Sequence, residues 1–134
     1  MNDAMTKPRV LVVDDQADNR QLVAGMLVRR GFRATMASNG FEAMQILATE
    51  TVDAVVSDTD MPEMLGVELL RNVRMRYPKL PVLLMSPFLN PDLRESLTAW
   101  GATEVLSKPV DGVILAVALW NALGREPQPH LAMA

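Results

Sequence analysis

The chain has 134 residues, no cysteine, and a net charge of −3 from 13 basic and 16 acidic side chains. That length suits one domain with a core that stands without disulfides or thiolate metal sites, and the acidic balance argues against a nucleic-acid binder, which carries a basic stripe. Met1 to Arg9 lacks an apolar core of signal-peptide length, and the longest apolar run, Val113 to Trp120, is far short of the ~20 residues of a membrane span. A cytoplasmic protein is expected, with neither a membrane nor nucleic acid as partner of this domain.

Strand-like and helix-like patterns alternate along the chain. Arg9–Val13 predicts a first strand, followed at once by Asp14 and Asp15. Asp18 to Arg30 predicts a helix with Asp18 as N-cap, Gln21 at the capping-box position and Gly31 as its stop. Its apolar face is Leu22, Val23, Met26 and Leu27. Arg33–Ala37 is a weak second strand; Asn39 then caps a helix, with Glu42 three residues on and Phe41, Met44, Ile46 and Leu47 as its apolar residues. Val52–Ser57 is the third strand and leads into Asp58-Thr59-Asp60-Met61-Pro62.

Met61 to Gly66 reads as a loop, and Val67 to Tyr77 as a helix with Val67, Leu70 and Val73 inward. Val82–Met85 is the fourth strand and ends at Ser86. Asn90-Pro91 opens a helix that runs to Trp100 and stops at Gly101. Glu104–Ser107 is the fifth strand, followed by Lys108-Pro109, and Val110 to Leu123 is the last helix. Five βα units with short links predict an α/β domain, a parallel sheet with helices on both faces. The domain is expected over residues 1–124, with 125–134 as a tail or the start of a linker.

Acid pair, acid, hydroxyl and lysine all fall just after strands. A lone acid there is ordinarily a turn former; the full set points to one crevice at the carboxyl ends of parallel strands. Carboxylates gathered in one pocket repel: at ~4 Å and an effective dielectric of ~20, each like pair costs about 4 kcal/mol. A hard divalent cation relieves that repulsion, and oxygen-only ligands with room for water suit Mg²⁺. A metal beside a carboxylate sets up phosphoryl transfer, in which an aspartate is itself the nucleophile and becomes an acyl phosphate. Lys108 would place a point charge on one phosphoryl oxygen, and Ser86 would donate a hydrogen bond to another.

These residues match a family. The chain resembles the receiver domain of two-component response regulators, of the chemotaxis-regulator type, from Arg9 to about Leu123. The motifs are Val-Asp-Asp at 13–15, Asp-x-x-Met-Pro-x-Met-x-Gly at 58–66, Pro-Val-x-x-x-Ser at 81–86 and Gly-Ala-x-x-x-x-x-Lys-Pro at 101–109. The resemblance implies a flavodoxin-like, doubly wound sheet of five strands in the order 2-1-3-4-5 with five flanking helices. It implies Asp58 as phosphoacceptor, served by Lys108 and Ser86, with a histidine kinase, a phosphotransfer protein or a small acyl phosphate as donor. Asp14, Asp15 and Asp58 would hold Mg²⁺, joined by the backbone carbonyl of Asp60, and the Lys108–Pro109 bond would be cis. Such a domain is a phosphorelay signalling element, not an enzyme, beyond catalysing its own phosphoryl acceptance and slow dephosphorylation.

Three departures from the pattern bear on the readout. Pro87 follows Ser86 and has no N–H to offer a phosphoryl oxygen. Val105 stands where many receivers carry a switching aromatic ring. Asp60 adds a fourth acid near the site. They motivate the alternative of a degenerate receiver acting as a constitutive scaffold.

A phosphatase of the haloacid dehalogenase type also uses Asp-x-Asp after a strand, as at Asp58-Thr59-Asp60, but its acid pair comes late in the chain rather than first. No Gly-rich phosphate loop follows the first strand. The last helix has almost no polar face, which suggests a dimer or output contact. Arg71, Arg74, Arg76 and Lys79 read as a solvated helix face, Met61, Met64 and Met75 as packing residues, and His130 as a tail residue with no donor role.

Overall fold

The computed structural model describes residues 7–125. His130 and all but the first residue of the expected tail lie outside them. Five strands, β1 (Arg9–Val13), β2 (Arg33–Ala37), β3 (Ala54–Asp58), β4 (Val82–Ser86) and β5 (Glu104–Ser107), alternate with five helices. The helices are α1 (Ala17–Arg29), α2 (Gly40–Thr49), α3 (Gly66–Arg76), α4 (Pro91–Ala99) and α5 (Gly112–Ala122). All strand pairs are parallel, in the order β2-β1-β3-β4-β5, the doubly wound flavodoxin-like arrangement expected.

The side-chain alternation of the strands divides the core in two. Val10, Val12, Val56, Leu83 and Met85 face α1 and α5, where they meet Leu27, Leu115 and Leu119. Leu11, Val13, Val55, Leu84 and Val105 face α2, α3 and α4, where they meet Leu47, Leu70 and Leu97. The interior strands β1, β3 and β4 are almost continuously buried because helices cover both faces. β2 lies at the edge and leaves Met36 exposed, which is why its pattern in the sequence is weak.

Helix starts follow from local chemistry. The Asn39 and Asn90 side chains accept the N–H groups of Glu42 and Leu93, as their spacing predicts. The Asp18 cap is corrected: α1 begins at Ala17 with Gln16 in the cap position and no side-chain cap bond, and Asp18 lies in the first turn. The start is displaced because the Gln16 N–H already donates to Asp14 Oδ1 at 3.0 Å. Leu22 is 55% exposed rather than part of the buried face, and Met75, expected to pack, is 84% exposed. In α5 the Asp111 carboxylate accepts from Val113 and Ile114 N–H, a cap the sequence reading passed over.

Candidate functional site

Every strand that the sequence ends in a polar residue ends at the same edge of the sheet. In this strand order the chain leaves β1 to one side and β3 to the other, so a crevice opens between their carboxyl ends. Asp14 follows β1, Asp58 is the last residue of β3, Ser86 the last of β4, and Lys108 follows β5. One carboxylate oxygen from each of Asp14, Asp15 and Asp58 lies within 4.8 Å of the others. Asp14 and Asp58 are buried and Asp15 is exposed, so the cluster is open to solvent on one side.

A single ammonium faces the buried pair. Lys108 Nζ lies 3.1 Å from Asp58 Oδ2 and 3.4 Å from Asp14 Oδ2. Burial raises the Asp58 pKa, and it stays raised although the Lys108 and Asp60 hydrogen bonds oppose the shift. Burial alone would lower the Lys108 pKa, but Asp58 and then Asp14 outweigh it, and the net shift is upward. Burial sets the direction for Asp58 and the two carboxylates set it for Lys108, with one ammonium set against three acids. The pocket therefore holds more negative charge than its own lysine neutralises. An oxygen-only donor set with one solvent-facing member fits a hard divalent cation.

The backbone holds the carboxylates in place. Asp14 Oδ1 accepts from Gln16, and Arg20 Nη1 donates to the Asp14 carbonyl at 2.7 Å. Asp58 Oδ1 accepts from the Asp60 N–H at 3.2 Å, while the Asp60 side chain is exposed. Gly66, at the start of α3, is pressed against the end of β3. A Cβ there would overlap the Asp58 carbonyl oxygen and come within 2.7 Å of Thr59 Cα. The Lys108–Pro109 bond is cis, and the Lys108 N–H donates to the Ser86 carbonyl at 2.9 Å, tying β4 to the lysine.

Pro87 leaves Phe88 with the first free N–H after Ser86, and that N–H donates to Ser86 Oγ at 3.4 Å. Val105 is 1% exposed and belongs to the core. Arg74 is corrected: its guanidinium is not a solvated surface group but donates to the carbonyls of Leu80 at 2.6 Å and Gly101 at 2.8 Å, binding the end of α3 to the α4–β5 turn. Arg20 and Gln16, which support Asp14, were not singled out in the sequence. An arginine five residues past the acid pair is the only signal there, and it is a weak one.

A sequence model described as the response regulator receiver domain matches residues 10–119, and the chain belongs to that family. It is 37% identical over 115 residues to the DNA-binding transcriptional regulator NtrC of Escherichia coli (strain K12), covering 86% of this chain and 24% of that protein. The chain thus spans about a quarter of the length of the NtrC relatives it matches. It is 38% identical over 106 residues to the two-component response regulator ORR11 of Oryza sativa subsp. indica, covering 77% of this chain and 72% of that one. Among solved structures, the chemotaxis protein CheY4 of Vibrio cholerae superposes with a TM-score of 0.81 at 32% identity, covering 87% of this chain and 98% of that chain.

Proposed function

We propose that this domain accepts a phosphoryl group onto Asp58 from the phosphohistidine of a histidine kinase or phosphotransfer protein, or from a small acyl phosphate. The observation that carries the reading is the buried Asp58 carboxylate within 4.8 Å of two more acids and 3.1 Å from one ammonium. Asp14, Asp15 and Asp58 are the residues that would hold Mg²⁺, with the Asp60 carbonyl as a further ligand. Bound Mg²⁺ would neutralise phosphoryl oxygens and align them for in-line displacement.

An ionised Asp58 oxygen attacks phosphorus. The P–N bond to a donor imidazole, or the P–O bond of an acyl phosphate donor, breaks with its electron pair going to the donor, and an aspartyl phosphate forms. Lys108, held protonated by its two acids, places its charge on the incoming phosphoryl oxygens. Ser86 Oγ–H donates to another.

A cleft of about 450 Å³ beside Asp14 and Lys108 has apolar walls from Leu22, Met26, Pro87 and Pro109. It supports docking of a helical donor there. The exposed Val113 and Ile114 of α5 support a second copy or an output partner on that helix. Pro87 and the buried Val105 favour a second reading, a receiver whose phosphorylation leaves its output surface unchanged.

Incubation with acetyl phosphate and Mg²⁺, followed by intact mass measurement, tests acceptance: a single phosphoryl adduct is expected, absent in Asp58→Asn. No adduct, or one that survives that substitution, overturns the assignment. Sedimentation of the same samples separates a switch from a scaffold.

A further inference from the structure

The Asp14 side chain is fixed from two directions. Its Oδ1 accepts the Gln16 N–H at 3.0 Å, and its Oδ2 faces Lys108 Nζ at 3.4 Å. Its backbone N–H donates to the carbonyl of Ala37, in β2, at 3.2 Å. Asp15 has no such support. It is exposed, and among the described residues nothing donates to its carboxylate. One of its carboxylate oxygens nevertheless lies within 4.8 Å of oxygens from Asp14 and Asp58. Its place in the cluster is therefore set by the backbone that carries it.

That backbone has a clamp. The Asp14 carbonyl belongs to the peptide group that joins Asp14 to Asp15, and a peptide group is planar. Arg20 Nη1 donates to that carbonyl at 2.7 Å, a short bond from a charged donor and so one of the stronger kinds. With Asp14 held in the sheet and the peptide plane held by Arg20, the Asp15 Cα is fixed and only its side-chain rotamer is free. Arg20 is itself anchored. It is half-buried in the opening turn of α1, and its backbone N–H donates to the Gln16 carbonyl at 3.0 Å.

We propose that Arg20 is a positioning residue for divalent-cation binding: by clamping the Asp14–Asp15 peptide it sets Asp15, the solvent-facing ligand, at its distance from Asp14 and Asp58. This rests on the reading of the acid cluster as a metal site. A group that orients a metal ligand from behind typically changes metal affinity by about 10- to 100-fold when it is lost. Charge alone predicts the opposite sign, since a guanidinium near the cluster repels a cation and its removal would tighten binding. A merely structural role predicts a third result, a lower melting temperature with metal affinity unchanged.

Mg²⁺ is titrated into the full chain by calorimetry, and a metal-free melting curve is recorded for each variant. Arg20→Ala should loosen Mg²⁺ binding by about 10-fold. Arg20→Lys keeps the charge and most of the stem; it should recover part of that loss, and it carries the test where the alanine variant does not fold. In an Asp15→Asn background, Arg20→Ala should change Mg²⁺ affinity by less than about 2-fold, because the two residues act as one unit. Unchanged or tighter Mg²⁺ binding in Arg20→Ala, or an equal loss in both backgrounds, overturns the positioning role and leaves the metal site standing. No Mg²⁺ uptake by the wild-type chain overturns the metal site and this role with it.

Discussion

Asp58 and Lys108 are out of balance by design of the pocket: two buried carboxylates lean on one ammonium. Folding raises the Asp58 pKa above its ordinary 3.8, so the folded state favours the protonated acid. That contribution is full below the unfolded pKa and is lost as pH rises through the folded one. An Asp58→Asn chain, neutral at every pH, should therefore melt higher than wild type at pH 7, by roughly 1 kcal/mol or about 4 °C. Its advantage should fade as pH falls toward 4, and a lower melting temperature at pH 7 would contradict the crowding. For Lys108 the raised pKa means that stability is present below its unfolded value and is lost only in alkali. Lys108→Met should therefore destabilise the chain at neutral pH. It should also slow phosphoryl acceptance on the order of 10²-fold, as loss of a charge-stabilising donor does. An unchanged acceptance rate in a time-resolved mass assay would remove Lys108 from the chemistry. At this scale the site was legible in the sequence, because acids, hydroxyl and lysine each directly follow an apolar run. The supporting contacts of Gln16 and Arg20 were not, since neither carries a residue-type signature.

Among the elements, the junction of β3 and α3 decides where Asp58 points. The Gly66 N–H donates to the Thr59 carbonyl at 2.9 Å, with no room for a side chain. Gly66→Ala must push α3 away from the strand end. A loss of about 1–3 kcal/mol is expected, as overpacking usually costs, together with slower acceptance at Asp58. Wild-type rates in that variant would mean that the close approach does not position the acceptor. Caps were readable where an Asn stands just before a helix, as at Asn39 and Asn90. At α1 the reading failed because Asp14 takes the Gln16 N–H, and the helix starts two residues earlier than a cap at Asp18 allows. The Arg74 tie could not be read, because its partner Gly101 lies 27 residues away. Nothing local distinguishes it from the exposed Arg71 and Arg76.

For the whole molecule, alternation of strands and helices dictates parallel pairing, and parallel pairing gathers all strand ends on one edge. That much follows from the pattern of apolar runs; the order of the strands came only with the family motifs, since any right-handed βα series is compatible with more than one winding. No described helix is long and apolar enough to cross a membrane. Excess negative charge at the shared edge would make a bound cation a stabilising ligand of the folded state. At a concentration about 100 times the dissociation constant it should add about 2.7 kcal/mol, or roughly 10 °C in melting temperature. Asp58→Asn should show a much smaller rise, because one of the three carboxylates is gone. Equal rises in both would place the cation elsewhere.

Borohydride reduction of the chain after treatment with acetyl phosphate and Mg²⁺, followed by peptide mapping, locates the acyl phosphate itself, because the reagent converts the phosphorylated aspartate to homoserine. Homoserine at position 58, and at none of Asp14, Asp15 or Asp60, is the expected result. Reduction at another of these acids, or at none, would contradict the role assigned to Asp58.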